Sequence, residues 1–299
     1  MAFKLSTRRS FTAEFHRLAT AQLDRAIDQL EERPGGPMEA IHRARKAVKK
    51  VRGLYRFAGS AAGKARTAEN RRLRDASKQV AQLRDAEALV DTAELLRARL
   101  ADEEEDAALR AVDALKARRG WMIEAATDLD GRLAQFAEAL KDARTAAKSL
   151  AFDDRSKATR RLVEKAWGKS LGRVKAALEE ARASRTPEAF HTLRKRCQDD
   201  RFHHLLMMRL WPSLLQERER TIKALIDRLG VLHDFAVLLA VLEAEPELIS
   251  PEDQVILRHA LEVEIGAEGR RALDEADALY RIDPGQEARR IACLWKLAT

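Results

Sequence analysis

The chain has 299 residues, with 56 Lys and Arg against 48 Asp and Glu, a formal charge of +8. That balance favours a polyanionic partner, and an aromatic content of 5% is thin for a protein that stacks on nucleic-acid bases. Two cysteines, Cys197 and Cys293, make neither a disulfide framework nor a zinc motif, no aliphatic run reaches bilayer length, and the N-terminal stretch lacks the apolar core of a signal peptide; the expectation is a cytoplasmic protein with no membrane partner.

Ala, Leu, Arg, Glu and Lys dominate and period-2 alternation is scarce, so an all-α fold is predicted. The first helix is expected over about Ser10–Glu32, burying Phe11, Phe15, Leu18, Leu23, Ile27 and Leu30. Pro34-Gly35-Gly36-Pro37 is a turn that a helix cannot cross. A second helix then runs to about Ala58, and Gly59–Gly63 makes the next turn. A long third helix is expected over about Arg66–Leu100. The acidic run Asp102–Asp106 suits a helix N-terminus. That helix is predicted to reach about Arg119, with a break at Gly120 and a further helix from Trp121 to about Leu150.

Phe152-Asp153-Asp154 is the midpoint linker, dividing the chain into units 1–152 and 153–299. The second unit opens with a helix over about Lys157–Ala183. Thr186 as N-cap and Pro187 at the first helical position start the next, to about Leu210. Pro212 starts a helix to about Glu245, Pro251 one to about Tyr280, and Asp283-Pro284-Gly285 precedes a short final helix. Phe202, Leu206, Met207, Met208 and Trp211 read as core. The four tryptophans are too dispersed to form a stacking platform.

The second helix carries the chemistry. At about 100° per residue, His42, Arg45, Lys46, Lys49, Arg52 and Arg56 fall on one side of it. Ile41, Ala44, Val48, Val51, Tyr55 and Ala58 form the adjoining apolar stripe. A solubilising face mixes charge signs through i,i+4 pairs, whereas this row is nearly pure in sign, with Lys50 beside it. One helix therefore docks into a core and holds a positive row next to that core.

The arrangement recurs 149 residues on. His42-Arg43-Ala44-Arg45-Lys46 pairs with His191-Thr192-Leu193-Arg194-Lys195, and Leu83-Arg84-Asp85 with Leu232-His233-Asp234. The same offset relates Arg52 to Arg201, Arg74 to Lys223 and Gly120 to Gly269. Several matches at one offset argue for a duplicated helical unit, hence two similar bundles about a pseudo-twofold axis with their basic helices facing a shared groove. Arg71, Arg74 and Lys78 on one face of the third helix, with Arg220 and Lys223 in the second copy, add to the positive faces. Asp85 and Asp234 at their edges are expected to orient an Arg or Lys rather than hold a metal. Lys49 and Lys50 correspond to Gln198 and Asp199, so the first basic helix should be the stronger wall and His191, Arg194, Lys195 and Arg201 the weaker one.

With His-x-x-Arg-x-x-x-Lys-Lys-x-Arg at His42–Arg52, the Arg-Asp after Leu83 and both features repeated, the chain resembles the CHAD family, the conserved-histidine α-helical domain, over about Thr7–Leu297. The resemblance implies two four-helix bundles with pseudo-twofold symmetry and a basic central cavity. It implies binding of inorganic polyphosphate and recruitment to polyphosphate granules. The family's phosphate-contacting positions carry over to His42, Arg45, Lys49, Lys50, Arg52 and Arg56, and to His191, Arg194 and Arg201. Such binding works by multivalent electrostatics and needs no nucleophile, general base, metal or other cofactor, so a binding protein rather than an enzyme is expected. The alternatives are a nucleic-acid-binding protein and, through His233-Asp234, a metal-dependent phosphohydrolase of the HD type. Arg84 at the equivalent first-half position is not a metal ligand. His16, His203, His204, His233 and His259 are assigned no part in the site.

Overall fold

Helix-forming composition and clear caps set the elements of the computed structural model, which describes residues 3–124 and 128–298, with 81–84 by backbone alone. Among the described residues there is no strand. The first unit contains α1 (Phe11–Glu32), α2 (Gly36–Ala58), a 3-10 turn (Gly59–Ala62), α3 (Gly63–Gln79), α4 (Ala81–Arg97), α5 (Asp102–Glu124) and α6 (Leu129–Lys148). The second contains α7 (Ser156–Ser184), α8 (Pro187–Met207), α9 (Pro212–Ala244), α10 (Pro251–Leu279) and α11 (Pro284–Ala298). The hydroxyls of Ser10, Thr186 and Ser250 cap α1, α8 and α10, each accepting from a backbone N–H in the first turn. No described helix is long and apolar enough to cross a membrane.

The structure corrects the expected elements in three places. The long third helix is two, α3 and α4, meeting at buried Val80. No glycine or proline marks that break; it follows from packing, since α3 lies on α6 whereas α4 lies on α5 and α9. Gly120 breaks nothing, because α5 runs through it to Glu124; one interior glycine weakens a helix by only about 1 kcal/mol. Trp211 is 49% exposed, because it precedes Pro212 at the start of α9, outside the α8 face that buries Phe202, Leu206 and Met207.

The buried side chains form two clusters, and neither coincides with one unit of the sequence. The larger joins α1, α2, α3 and α6 to α7, α8, α11, the first part of α9 and the last part of α10. The smaller is made by α4, α5, the last part of α9 and the first part of α10, around Leu96, Val112, Phe235 and Leu261. The apolar stripe of α2 is buried along its whole length, and each fully buried large side chain contributes roughly 1.5–3 kcal/mol. The linker is tied down: the N–H of Phe152 donates to the Thr12 hydroxyl at 3.0 Å, and the N–H of Thr12 to Asp154 at 2.9 Å. His16 Nε2 reaches the Leu150 carbonyl at 2.6 Å.

α2 also packs on α7 and α8, across the two units. It meets α8 at Gly53, where a Cβ would stand 2.7 Å from Cδ2 of Phe202. The Phe202 ring cannot retreat, since Phe3 packs edge-on against it at 6.3 Å. Gly53→Ala should therefore destabilise the protein by up to about 2 kcal/mol, overpacking outweighing the helix propensity gained. Gly120→Ala, where a Cβ meets nothing within 4 Å, should instead stabilise by up to about 1 kcal/mol. Urea denaturation of the two variants beside the parent measures both signs.

Candidate anion-binding groove

The α2–α8 crossing sets one face of α2 beside α3 and α7. Three clefts open there and run into one another through shared residues. The first lies between α2 and α3, lined by Arg45, Lys49, Arg52, Arg74 and Lys78. The middle cleft, of about 410 Å³, keeps Arg52 and Arg74 and adds Arg56, Arg66, Arg71, Arg173 and Arg196. The third, of about 370 Å³, keeps Arg56, Arg66, Arg173 and Arg196 and adds Arg161, Lys165 and Lys169 from α7. Thirteen Lys and Arg thus line the groove, against one lining carboxylate, Asp199.

Packing holds these cations together against their mutual repulsion. Burial first, then neighbouring Arg56, brings the Arg52 guanidinium down to about 10, still charged at neutral pH. Its contact is the side-chain oxygen of Asn70 at 3.4 Å, and among the described residues no carboxylate stands within ion-pairing distance of it. Burial and then Arg196 lower Arg173, and Arg173 lowers Lys169. Each of these shifts has the sign that a bound anion would reverse.

Asp199 has a positioning part. Its carboxylate accepts from Arg56 at 2.7 Å and lies 3.8 Å from Arg196, so it ties α2 to α8 across the crossing. Burial raises its pKa, opposed by Arg56 and Arg196. At the groove's edges Arg74 pairs with Asp75 at 2.9 Å, and Arg45 lies 3.9 Å from Asp85.

The family model of the CHAD domain matches residues 17–243. The chain belongs to the CHAD family. The matched span contains every helix that lines the groove. No curated protein matches the chain.

Of the residues expected from sequence, this CHAD domain gathers Arg45, Lys49, Arg52, Arg56, Arg71, Arg74 and Lys78 into the groove. Lys195 lies close enough for Arg196 and Arg52 to lower its pKa, after burial. The others lie elsewhere. Half-buried His42 lines none of the three clefts. Lys50 sits among Lys46, Arg25 and Arg201, its ammonium 5.9 Å above the Phe3 ring. Arg201 is bound to Glu219 at 2.6 Å, Lys223 is paired with Asp227, and Arg194 packs against Gly230 of α9.

His191 stacks on His233 with ring centroids 4.1 Å apart, and burial brings its pKa to about 4, so it is neutral at pH 7. His233-Asp234 has no metal-binding company, for among the described residues no group of three or more His, Cys, Asp or Glu is placed to hold a metal ion. The Leu83 and Arg84 side chains of the first-half motif lie outside the described residues.

Sequence reasoning missed Arg66, Arg196 and the whole α7 row, whereas Arg71, expected on one face with Arg74 and Lys78, lines the groove with them. The α7 signal was present: Arg161, Lys165, Lys169 and Arg173 recur every four residues, which places them on one helix face. The 149-residue repeat points instead to α8 for the second wall. The positions 149 residues before the α7 row are Thr12, His16, Thr20 and Asp24, so the repeat contains no copy of this row.

Beneath the third cleft lies His203, 3% exposed, with its ring edge-on to Phe57 at 5.0 Å. Burial takes its pKa from 6.5 to about 3. The unfolded chain therefore binds this proton first as pH falls, and the stability associated with neutral His203 is lost progressively below about pH 6.5. His203→Phe keeps a ring against Phe57 and removes that proton uptake. The fall in urea midpoint from pH 7 to pH 5 should be smaller in His203→Phe than in the parent.

Proposed function

We propose that this CHAD domain binds inorganic polyphosphate along the groove. The observation that carries the reading is the density of charge: thirteen Lys and Arg against one carboxylate, most of them without a carboxylate partner among the described residues. Arginine engages phosphate oxygens through paired N–H groups and lysine acts as a point charge. A flexible phosphate chain running along the three clefts would relieve the repulsion that packing imposes. The role is binding, without a catalytic step, in the cytoplasm and at polyphosphate granules.

The same reading extends to the architecture. The two units, 1–152 and 153–299, form two bundles about a pseudo-twofold axis, with the groove at their junction. Three contacts across the units support it, because α2 meets α8, α4 meets α9 and α5 meets α10, each a helix and its counterpart at the 149-residue offset. Gly53 and Phe202, which touch, are themselves 149 residues apart.

Binding isotherms at two salt concentrations test the function. Affinity should fall by roughly 0.7–0.9 log units per neutralised phosphate for each log unit of salt, by analogy with nucleic acids. Arg52→Glu with Arg173→Glu should weaken binding by roughly a hundredfold or more, two charge-assisted contacts being lost. Arg194→Glu with Arg201→Glu should do far less, because neither residue lines the groove. Salt-insensitive binding, or equal effects of the two pairs, would overturn the placement. Displacement of long-chain polyphosphate by duplex DNA or RNA at equal phosphate concentration would favour a nucleic-acid ligand instead.

A further inference from the structure

The third cleft is chemically unlike the rest of the groove. No apolar side chain lines the middle cleft, whose walls are seven arginines of α2, α3, α7 and α8 with Thr67 and Asn70. The third has Phe57, Ala58 and Ala61 from the end of α2 and its 3-10 turn, and Ala158, Leu162 and Ala166 from α7, among its lining residues. Inorganic polyphosphate is charged along its whole length and has nothing to place against such walls. The cleft also reaches His203, which is buried and has no hydrogen-bond partner on either ring nitrogen. A buried polar group without a partner is unfavourable, and a ligand that supplies the partner is favoured by it. A neutral imidazole presents one donor and one acceptor on diverging sides of its ring, and one of the two can pair with a heterocyclic base.

We infer that this end of the groove binds a nucleoside triphosphate, its base in the apolar part of the cleft against His203 and its phosphates on Arg66, Arg173 and Arg196. Its volume of about 370 Å³ lies within the usual range for small-ligand sites. The three arginines belong to both the third and the middle cleft, so a phosphate tail leaving the apolar end enters the cationic run directly. Only the phosphate half of the inference rests on the anion-binding reading of the groove; the base half rests on the apolar walls and the unpartnered histidine.

The test compares ATP and GTP with inorganic tripolyphosphate, which supplies the phosphates without the base, by titration calorimetry on the full chain at fixed salt. At least one nucleotide should bind about tenfold tighter than tripolyphosphate, the worth of one or two buried hydrogen bonds with apolar contact. His203→Phe should remove most of that advantage while leaving tripolyphosphate and long-chain polyphosphate affinities unchanged. Ala61→Trp, at an exposed position on the cleft wall, should likewise remove the nucleotide's advantage over tripolyphosphate by filling the apolar part, and provides a second reading should His203→Phe perturb folding. Nucleotides that bind no tighter than tripolyphosphate, or an advantage that survives both variants, would overturn the inference. Failure of long-chain polyphosphate to bind, with the nucleotide advantage intact, would overturn the polyphosphate reading alone; binding of polyphosphate without nucleotide would overturn this one alone, and binding of neither would overturn both.

Discussion

The crossing of α2 over α8 is the contact on which the rest depends. Gly53 lets the two helices close to the distance at which the Phe202 ring fills the space a Cβ would take. At that separation Asp199 reaches Arg56 and approaches Arg196. α7 then stands opposite α3 with Arg173 in the same cleft as Arg52 and Arg56. A wider crossing would separate the walls of the groove and leave Asp199, which is largely buried, without its arginine. An ion pair in that setting adds little net stability, because the desolvation of both groups offsets the attraction, but losing one partner is costly. Its structural value is register, fixing which turn of α2 faces which turn of α8.

Concentrating cations in this way is unfavourable in the protein alone, and the folded state tolerates it because the same helices bury extensive apolar surface. α2 shows both sides of the balance. Its stripe of Ile41, Val48, Val51, Leu54, Tyr55 and Phe57 is inaccessible to solvent, while one turn around the helix Arg52 is half-buried among other arginines. Hydrophobic contacts are short-ranged and insensitive to salt, whereas the repulsion is screened over about 10 Å at ordinary ionic strength. The groove is therefore held open by packing and tuned by the ionic medium. A polyanion would meet preformed donors, without the ordering cost of a flexible basic tail.

The two units contribute unequally. In the first, α2 and α3 supply the positive row; in the second it is α7, with Arg196 of α8. The α8 residues that continue the repeated motif are occupied elsewhere: His191 with His233, Arg194 against α9, Arg201 with Glu219. The 149-residue repeat therefore matches the helices better than it matches the distribution of charge, and the groove is lined by positions that do not correspond under that offset.

The sequence by itself determined the helical class, most helix limits, the buried face of α1 and α2, and seven of the thirteen cations that line the groove. These are local properties: capping residues, prolines and the 3.6-residue period act within a turn or two of chain. It also determined the family, because a repeated motif at constant spacing survives without any knowledge of contacts. The tertiary structure alone decided which cations meet. The bend at Val80 depends on where α6 and α5 lie, and the part α7 takes in the groove depends on the close approach of Gly53 and Phe202 and on α2 packing against both α7 and α8. Asp199 becomes a tie rather than a lost charge only because Arg56, 143 residues away in sequence, is brought within 2.7 Å. The physical reason is that side-chain charge is written in the sequence, but its neighbours across helices are set by non-local packing.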